Sequence, residues 1–232
     1  MQWMAEVYAF QKGDFIAPGL YMRYWGAIVG KYGEQKAFSL NSLKQYKEMR
    51  VGAILAALWT STTGDKWFVG LPREEPADVE LLRVIPATTN SGRPSFNHEI
   101  IPVQITRCST PDGEDIVRQI ERKNKPALSK HTLIVDVTGD GQKIDINDVA
   151  KRLATLGTLH PREIAIVATV DSTAQPPHVS TYLQFLLHPN YRNSTVKSSD
   201  ANSFFVEPTI INLKRGVSRS LSASRTVGLR LP

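Results

Sequence analysis

Cysteine is nearly absent from this sequence of 232 residues, which contains Cys108 and no other. A single thiol excludes a disulfide framework and any cysteine-rich zinc site. The sequence also lacks an uninterrupted apolar run of about 18 residues, the length that a membrane-spanning helix needs. Its first residues do not have the basic-then-apolar layout of a secretion signal. We therefore expect a cytoplasmic protein with no membrane contact.

Acidic residues are missing from the end of the chain, where no Asp or Glu follows Glu207. The whole sequence has a net charge of +6, from 28 basic and 22 acidic residues. Most of this excess lies on the basic residues of the final stretch, which are Lys214, Arg215, Arg219, Arg225 and Arg230. Such a tail can neutralise nucleic-acid phosphates, and its first four basic residues are the candidate contacts. A solvated tail without a ligand is the alternative.

Hydrophobic periodicity predicts alternating helices and strands. The predicted order is a helix from about Leu43 to Thr60, strands at 66–70, 78–85 and 99–106, a helix from Pro111 to before Pro126, a strand at 133–137, a helix ending near Gly157, and a strand at 164–168. The stretch 88–97 is predicted to be a loop, and Pro102 an irregular point in its strand. Three meandering strands followed by crossover connections predict an α/β fold with a mixed central sheet flanked by helices on both faces.

The two ends of the chain do not share this pattern. Residues 1–40 are rich in aromatic residues and glycine without a clean period, which predicts an arm of short strands or irregular structure. Docking onto a protein partner or a second subunit would suit such an arm. We therefore expect three segments, namely an N-terminal arm at 1–40, an α/β domain at 41–190, and a polar region with a basic tail at 191–232.

Polar side chains on two neighbouring predicted strands form the first candidate site. Asp78 follows Pro76 and Ala77 at the head of the second strand, while Gln104 and Thr106 lie two residues apart on the third and so share a face. A carboxylate beside such a pair could hold a divalent ion that polarises a phosphate. The alternative is structural: Asp78 caps a turn, and Gln104 and Thr106 face a helix with their polar groups bonded.

The order of these elements, together with these residues, resembles the PD-(D/E)XK nuclease superfamily, which has a restriction-endonuclease-like αβββαβ core. The resemblance covers roughly residues 42 to 170. It implies that Glu48, Asp78, Gln104 and Thr106 occupy the catalytic positions. It also implies that Asp78 and Gln104 are the ligands of Mg²⁺, and that the substrate is nucleic acid, DNA more than RNA.

Two residues depart from the superfamily pattern. Gln104 stands where an acid is usual, and Thr106 stands where the lysine belongs. A neutral hydroxyl cannot offset the negative charge that develops during phosphodiester cleavage. The sequence therefore predicts a nuclease-like protein with weakened or lost cleavage, unless a basic residue of the following helix reaches the site; the candidates are Arg118, Arg122, Lys123 and Lys125. A non-catalytic structural or protein-interaction module is the alternative function.

The second candidate site is the segment from Asp136 to Asp148, which is similar to the start of an EF-hand or dockerin calcium loop at Asp136, Thr138, Asp140 and Gly141. The twelfth position is Asn147, where calcium requires a bidentate acid. The favoured interpretation is a glycine turn between a strand and a helix, with Asp145 or Asn147 as the helix cap.

Overall fold

Helices pack against a mixed β-sheet in the computed structural model, which describes residues 6–8, 12–108, 113–137, 144–171, 180–206, 210–213, 217–219 and 227–229. The helices are α1 (Pro18–Tyr32), α2 (Glu34–Ser39), α3 (Lys44–Thr63), α4 (Gly113–Lys123), α5 (Ile146–Leu153) and α6 (Ala201–Phe204). The strands are β1 (Glu6–Tyr8), β2 (Asp14–Ile16), β3 (Lys66–Gly70), β4 (Val79–Thr88), β5 (Pro94–Arg107), β6 (Thr132–Asp136), β7 (Glu163–Asp171), β8 (Ser180–His188), β9 (Arg192–Lys197), β10 (Ile210–Asn212), β11 (Val217–Arg219) and β12 (Val227–Leu229). The predicted α/β class with a mixed sheet is confirmed.

The large sheet has the strand order β11-β10-β2-β3-β4-β5-β6-β7-β8-β9. Strands β3, β4 and β5 form an antiparallel meander, after which β6 is parallel to β5 and β7 is parallel to β6. Strands β8 and β9 continue the sheet in antiparallel fashion. The two parallel crossovers carry α4 and α5, because parallel strands need a long connection that is usually helical.

Apolar side chains of the central strands point alternately into two cores, so helices cover both faces. On one face, Ile134 and Val167 pack in the cluster that contains α3. On the other face, Leu133 and Val135 pack with the apolar residues of α4 and α5. This alternation follows from the two-residue period of a strand, and it confirms the predicted helices on both faces.

Helix α3 is buried along most of its length, from Met49 to Thr60. An all-round apolar surface is typical of a helix enclosed by other elements. The helix runs to Thr63, slightly beyond the predicted end, and stops at Gly64, whose φ of 75° is the left-handed conformation that glycine adopts readily. No helix among the described residues is both long and apolar enough to cross a membrane.

The interpretation of residues 1–40 as short strands or irregular structure is wrong in one respect, because this segment contains α1. Its buried residues Tyr21, Tyr24, Trp25 and Ile28 follow the i, i+3, i+4, i+7 spacing of one helix face. Interspersed glycines, which are weak helix formers, conceal this period in the sequence. The segment packs in the same core as α3. The division of the chain at residues 40 and 190 stays a prediction.

The stretch 88–97 is not only a loop, since β4 extends to Thr88 and β5 begins at Pro94. Cross-strand pairs such as Pro86 with Phe96 continue this hairpin beyond the core. Pro102 does not interrupt β5, because pairing with β6 starts only at Val103. The hydrogen bond that proline cannot donate is therefore not needed there.

Candidate functional site

Asp78 and Gln104 lie side by side where β4 begins and β5 ends. The backbone N–H of Asp78 donates to the carbonyl of Val103 at 2.9 Å, which sets the register between the two strands. Antiparallel neighbours that face each other project from the same side of the sheet. The side-chain amide of Gln104 accordingly donates a hydrogen bond to Asp78 Oδ2. The structure thus brings together the acid and the amide that the sequence placed on adjacent strands.

The Asp78 carboxylate is held by two donors within the sheet. Its Oδ2 accepts both the Gln104 amide and the backbone N–H of Ile105, at 2.7 Å for the latter. Burial raises the pKa of Asp78, and these hydrogen bonds oppose that rise only in part. Gln104 itself is only 7% exposed. The pair is therefore an internally bonded unit in which Gln104 is buried and Asp78 is half-buried.

Glu48 approaches the same point from the first turns of α3. Burial raises the pKa of Glu48, and the neighbouring charge of Asp78 raises it further. Lys44, one turn earlier on the helix, forms an ion pair with Glu48 at 3.3 Å. The carboxyl groups of Glu48 and Asp78, on different elements, are thus near enough for their charges to interact.

The Thr106 side chain contacts α4. Its hydroxyl donates to Gln119 Oε1 at 3.2 Å, and the same oxygen accepts from Arg122 at 2.6 Å. Thr106 is 5% exposed. The Thr106 hydroxyl is held by its hydrogen bond to Gln119 and carries no positive charge. It therefore cannot stabilise negative charge on a phosphate as the lysine of the superfamily pattern would.

Cationic side chains from two helices act on Asp78. The charges of Lys44 on α3 and Lys123 on α4 both lower its pKa. Lys123 is one of the four basic residues that the sequence offered as a substitute for the missing lysine. Arg122, another of the four, bonds to Gln119 instead. Of the four candidates, Lys123 is therefore the one whose charge acts on Asp78.

Two further cations close to this site, Lys47 and Arg107, are missed by sequence reasoning. Lys47 Nζ donates to the carbonyls of Phe38 and Leu40, at 3.0 and 3.1 Å. Arg107, which follows Thr106, donates to the same Phe38 carbonyl at 3.2 Å and lies 5.3 Å from the centre of the Phe38 ring. Burial and the charge of Arg107 lower the pKa of Lys47. Only the fold brings these distant segments together, and no sequence motif indicates it.

The donor set does not fit the Mg²⁺ site that the resemblance implies. Magnesium prefers oxygen ligands in octahedral geometry, whereas Gln104 presents a hydrogen-bond donor to the carboxylate that would bind the ion. No group of three or more His, Cys, Asp or Glu side chains is suitably placed for a metal ion in the described part of the chain. Asp78 and Glu48 are the two acids available, and Lys44 already pairs with the second.

The remaining candidate residues fall largely outside the described parts. Outside the described residues lie Thr138, Asp140 and Gly141 of the calcium-like segment. Asp145 is described: its side chain accepts from the backbone N–H groups of Asn147 and Asp148 and so caps α5. The predicted helix cap is therefore confirmed. Lys214, Arg215 and Arg225 also lie outside the described residues, and the backbone of Arg219 ends β11.

Comparison of the chain with protein-family models, with curated proteins and with solved structures found no match.

Proposed function

We propose that this protein binds nucleic acid through a restriction-endonuclease-like core whose phosphodiester-cleaving activity has been lost. One observation carries the proposal: Asp78 and Gln104 contact each other where β4 begins and β5 ends, in the position that the nuclease motif would occupy. Fold alone does not establish function, so the proposal depends on the chemistry of this contact.

The element order supports the nuclease-like core. Helix α3, the meander β3-β4-β5, helix α4 and strand β6 follow one another in the αβββαβ order, and β6 is parallel to β5. Glu48 lies on α3, as the superfamily glutamate would lie on its first helix, and the charge of Asp78 acts on it. This order and the placement of Glu48 and Asp78 support the proposed core, although Gln104 and Thr106 differ in chemistry from the superfamily pattern.

The differences in chemistry argue for binding without cleavage. At Gln104 an amide donor replaces a carboxylate, and at Thr106 a bonded hydroxyl replaces an ammonium group. Cleavage needs charge stabilisation at the scissile phosphate, which neither residue supplies. The Asp78 carboxylate accepts hydrogen bonds from the Gln104 amide and the Ile105 backbone N–H, both on β5.

The cations around this contact support a phosphate ligand. Lys44 and Lys47 come from α3, Arg107 from the end of β5, and Lys123 from α4. Lys44 and Lys123 act on Asp78, while Lys47 acts on Glu48 and shares the Phe38 carbonyl with Arg107. Salt-sensitive attraction of a polyanion is the expected property of such cations, and the basic residues after Glu207 add to it. DNA is the class that the resemblance favours.

Fluorescence anisotropy with a labelled DNA duplex tests the proposal. We expect saturable binding that EDTA does not change, together with intact DNA after incubation with Mg²⁺. The double substitution of Lys47→Gln and Arg107→Gln should weaken binding by roughly tenfold, since removal of each cation reduces the electrostatic attraction of the phosphates. The matched control is the double substitution of Lys130→Gln and Lys151→Gln, two exposed lysines elsewhere on the protein.

Two outcomes would contradict the proposal in different ways. Absence of binding at low salt would exclude nucleic acid as the ligand. Magnesium-dependent cleavage that disappears in Asp78→Ala would show instead that the site is catalytic. Cleavage that persists in Asp78→Ala would point to a contaminating enzyme or to another site.

A protein-interaction module is the second candidate function, and the β4–β5 hairpin favours it. Phe96, near its tip, is 62% exposed, which makes it the most exposed large apolar side chain among the described residues. An aromatic residue on a projecting hairpin suits a contact with another protein. Substitution of Phe96→Ser should abolish such a contact without affecting DNA affinity, which separates the two functions.

A further inference from the structure

One side of β5 has no neighbouring strand along most of the β4–β5 hairpin. Strand β5 pairs with β4 from Pro94 to Val103, whereas β6 pairs with it only from Val103 to Arg107. The segment from Pro94 to Pro102 thus has β4 on one side and, among the described residues, no strand on the other. We call this second side the open edge. An edge of this kind can pair with another chain.

Two hydrogen bonds show which residues of β5 direct their backbone groups to the open edge. The carbonyl of Val103 accepts from Asp78 at the start of β4, and the N–H of Cys108 donates to the Asp136 carbonyl on β6. Backbone groups of successive strand residues point to opposite sides, so odd-numbered residues face β4 and even-numbered residues face away from it. The register between β4 and β5 is constant along the hairpin, and this assignment therefore holds to its tip.

Prolines limit the open edge to three donors with a symmetrical spacing. Phe96, His98 and Ile100 are the even-numbered residues that carry an N–H, and Pro94 and Pro102, which have none, end the row. The two prolines lie four residues on either side of His98. Two open edges that run antiparallel, with His98 opposite His98, therefore pair every donor. Phe96 then faces Ile100 of the second copy, and the prolines, which need no acceptor, face each other.

The other side of the hairpin is less suited to such pairing. Val84 is the last residue of β4 that pairs with β3, and the residues beyond it that face away from β5 are Pro86 and Thr88. Because Pro86 has no N–H, Thr88 is left as the outward donor of this part of β4. The open edge of β5 is therefore the side of the hairpin on which a new strand gains consecutive hydrogen bonds.

The side chains of the open edge also suit a second copy. Phe96 is 62% exposed and projects from the same face of the sheet as Ile100, which is half-buried. In the antiparallel arrangement each Phe96 lies opposite Ile100 of the other copy, and cross-strand pairs of an aromatic with a β-branched residue stabilise a sheet. Glu99, the acid of this stretch, already pairs with Arg83 at 3.2 Å and with Arg162 at 3.6 Å. The two copies therefore bring no uncompensated like charges together.

We propose that this protein forms a homodimer in which the open edges of two copies pair antiparallel about a twofold axis at His98. The same surface on both subunits meets itself, as a twofold interface requires. The proposal names the partner for the Phe96 contact given above as the second candidate function, and it does not depend on DNA binding. Because the paired stretch is short, we expect a weak dimer with a dissociation constant on the order of 10–100 µM.

Sedimentation equilibrium of the full chain without nucleic acid tests the dimer. We expect a monomer–dimer equilibrium that His98→Pro weakens at least tenfold, because proline removes the central donor of the open edge and leaves the hydrogen bonds between β4 and β5 intact. Thr88→Pro, which removes an outward donor on the other side of the same hairpin, is the matched control and should leave the equilibrium unchanged. Circular dichroism spectra establish that each variant is folded.

A cysteine on the twofold axis tests the register. Directly opposite residues of an antiparallel pair have Cα atoms about 5.5 Å apart, which a disulfide can bridge. His98→Cys should therefore give a disulfide-linked dimer under mild oxidation, as seen on a non-reducing gel. Ser91→Cys, at an exposed position in the turn, should stay monomeric, since the two turns lie at opposite ends of the paired stretch.

Three results would overturn the proposal. They are a protein that remains monomeric well above about 100 µM, a His98→Pro variant that dimerises like the unsubstituted protein, and a Ser91→Cys variant that cross-links as readily as His98→Cys. Loss of DNA binding in the anisotropy assay would leave the dimer unaffected, so the failure of one proposal is distinguishable from the failure of the other.

Discussion

At the scale of single residues, Gln104 is the reason why this site does not fit a metal ion, because it presents an amide donor to Asp78 where a carboxylate ligand would be needed. Substitution of Gln104→Glu would place a third carboxyl group beside Asp78 and Glu48, and three acids at one point bind Mg²⁺ to relieve their mutual repulsion. We expect Mg²⁺ to raise the melting temperature of this variant by several degrees and to leave the unsubstituted protein unchanged, because a ligand stabilises the state that binds it.

Differential scanning fluorimetry with and without Mg²⁺ measures this difference. Gln45→Glu, at an exposed position on the same helix as Glu48, is the matched control and should not respond. An equal response of the unsubstituted protein to Mg²⁺ would mean that Asp78 and Glu48 suffice for the ion, contrary to the donor set described above.

The pair of carboxyl groups at this site also predicts a pH dependence. Burial raises the pKa of Glu48 and of Asp78, so the folded state binds these protons more tightly than the unfolded chain does. The free energy of unfolding that they contribute therefore increases as the pH falls through their raised pKa values toward the ordinary values of 4.5 and 3.8. Above their raised pKa values, both groups destabilise the fold.

Urea unfolding of the unsubstituted protein and of Glu48→Gln at successive pH values checks this sign. Relative to the variant, the unsubstituted protein should gain stability as the pH falls from neutral toward 4.5. A difference that stays constant, or one that grows as the pH rises, would show that the Lys44–Glu48 ion pair outweighs burial.

At the scale of secondary-structure elements, Gly52 allows α3 to approach the sheet closely. A Cβ at this position would lie 2.7 Å from Val69 and 3.1 Å from Val79, both buried side chains. Gly52→Ala should therefore destabilise the protein by about 1–3 kcal/mol through overpacking, although alanine is the better helix former. Chemical denaturation measures the change.

Gly26 in α1 provides the matched control, because nothing lies within 4 Å of a Cβ built there. Gly26→Ala should stabilise the protein by about 0.5–1 kcal/mol through helix propensity alone. If both substitutions had the same sign, the close packing of α3 on β3 and β4 would not control the outcome.

The cap of α5 gives a second prediction at this scale. Asp145 accepts from two backbone N–H groups, at 2.9 and 3.1 Å. Asp145→Ala should lower the free energy of unfolding by about 1 kcal/mol, as measured by urea denaturation. Asn147 takes part in the cap through its backbone N–H and not through its side chain. Asn147→Ala should therefore lower the free energy of unfolding by less.

The sequence predicted these central elements well because their signals are local. The run Leu133 to Val137 and the cap at Asp145 depend on neighbouring residues only, and both are found where they were expected. The proximity of Asp78 and Gln104 followed from strand order and side-chain alternation. In contrast, Lys47 and Arg107 meet only through the carbonyl of Phe38, which belongs to a segment predicted as an irregular arm. Contacts between residues so far apart in the chain leave no pattern in the sequence around either residue.

At the scale of the whole molecule, the positive charge of the final stretch predicts how DNA affinity depends on salt. Replacement of Lys214, Arg215 and Arg225 by glutamine removes three cations that follow the last acid of the chain. If they bind phosphates, the slope of the logarithm of affinity against the logarithm of salt concentration should fall by about 0.9 for each phosphate that is no longer neutralised. Anisotropy titrations at several salt concentrations measure the slope.

The matched control is replacement of Lys130, Lys151 and Lys197, three exposed lysines among the described residues. An unchanged slope in the tail variant would leave the cations near Asp78 as the DNA-binding surface. Substitution is preferable to deletion of residues 208–232, because deletion would also remove β10, whose residues Ile210 and Ile211 are buried.

The pairing of β10 with β2 has a consequence for biosynthesis. Ile210 lies opposite Ile16, so one of the last described strands completes the sheet beside one of the first. Until the ribosome has released that late segment, the nascent polypeptide exposes the edge of β2 and the apolar surface beneath it. An unpaired strand edge can pair with another chain and so promotes aggregation. Messages interrupted before codon 210 should accordingly yield products that aggregate or are degraded.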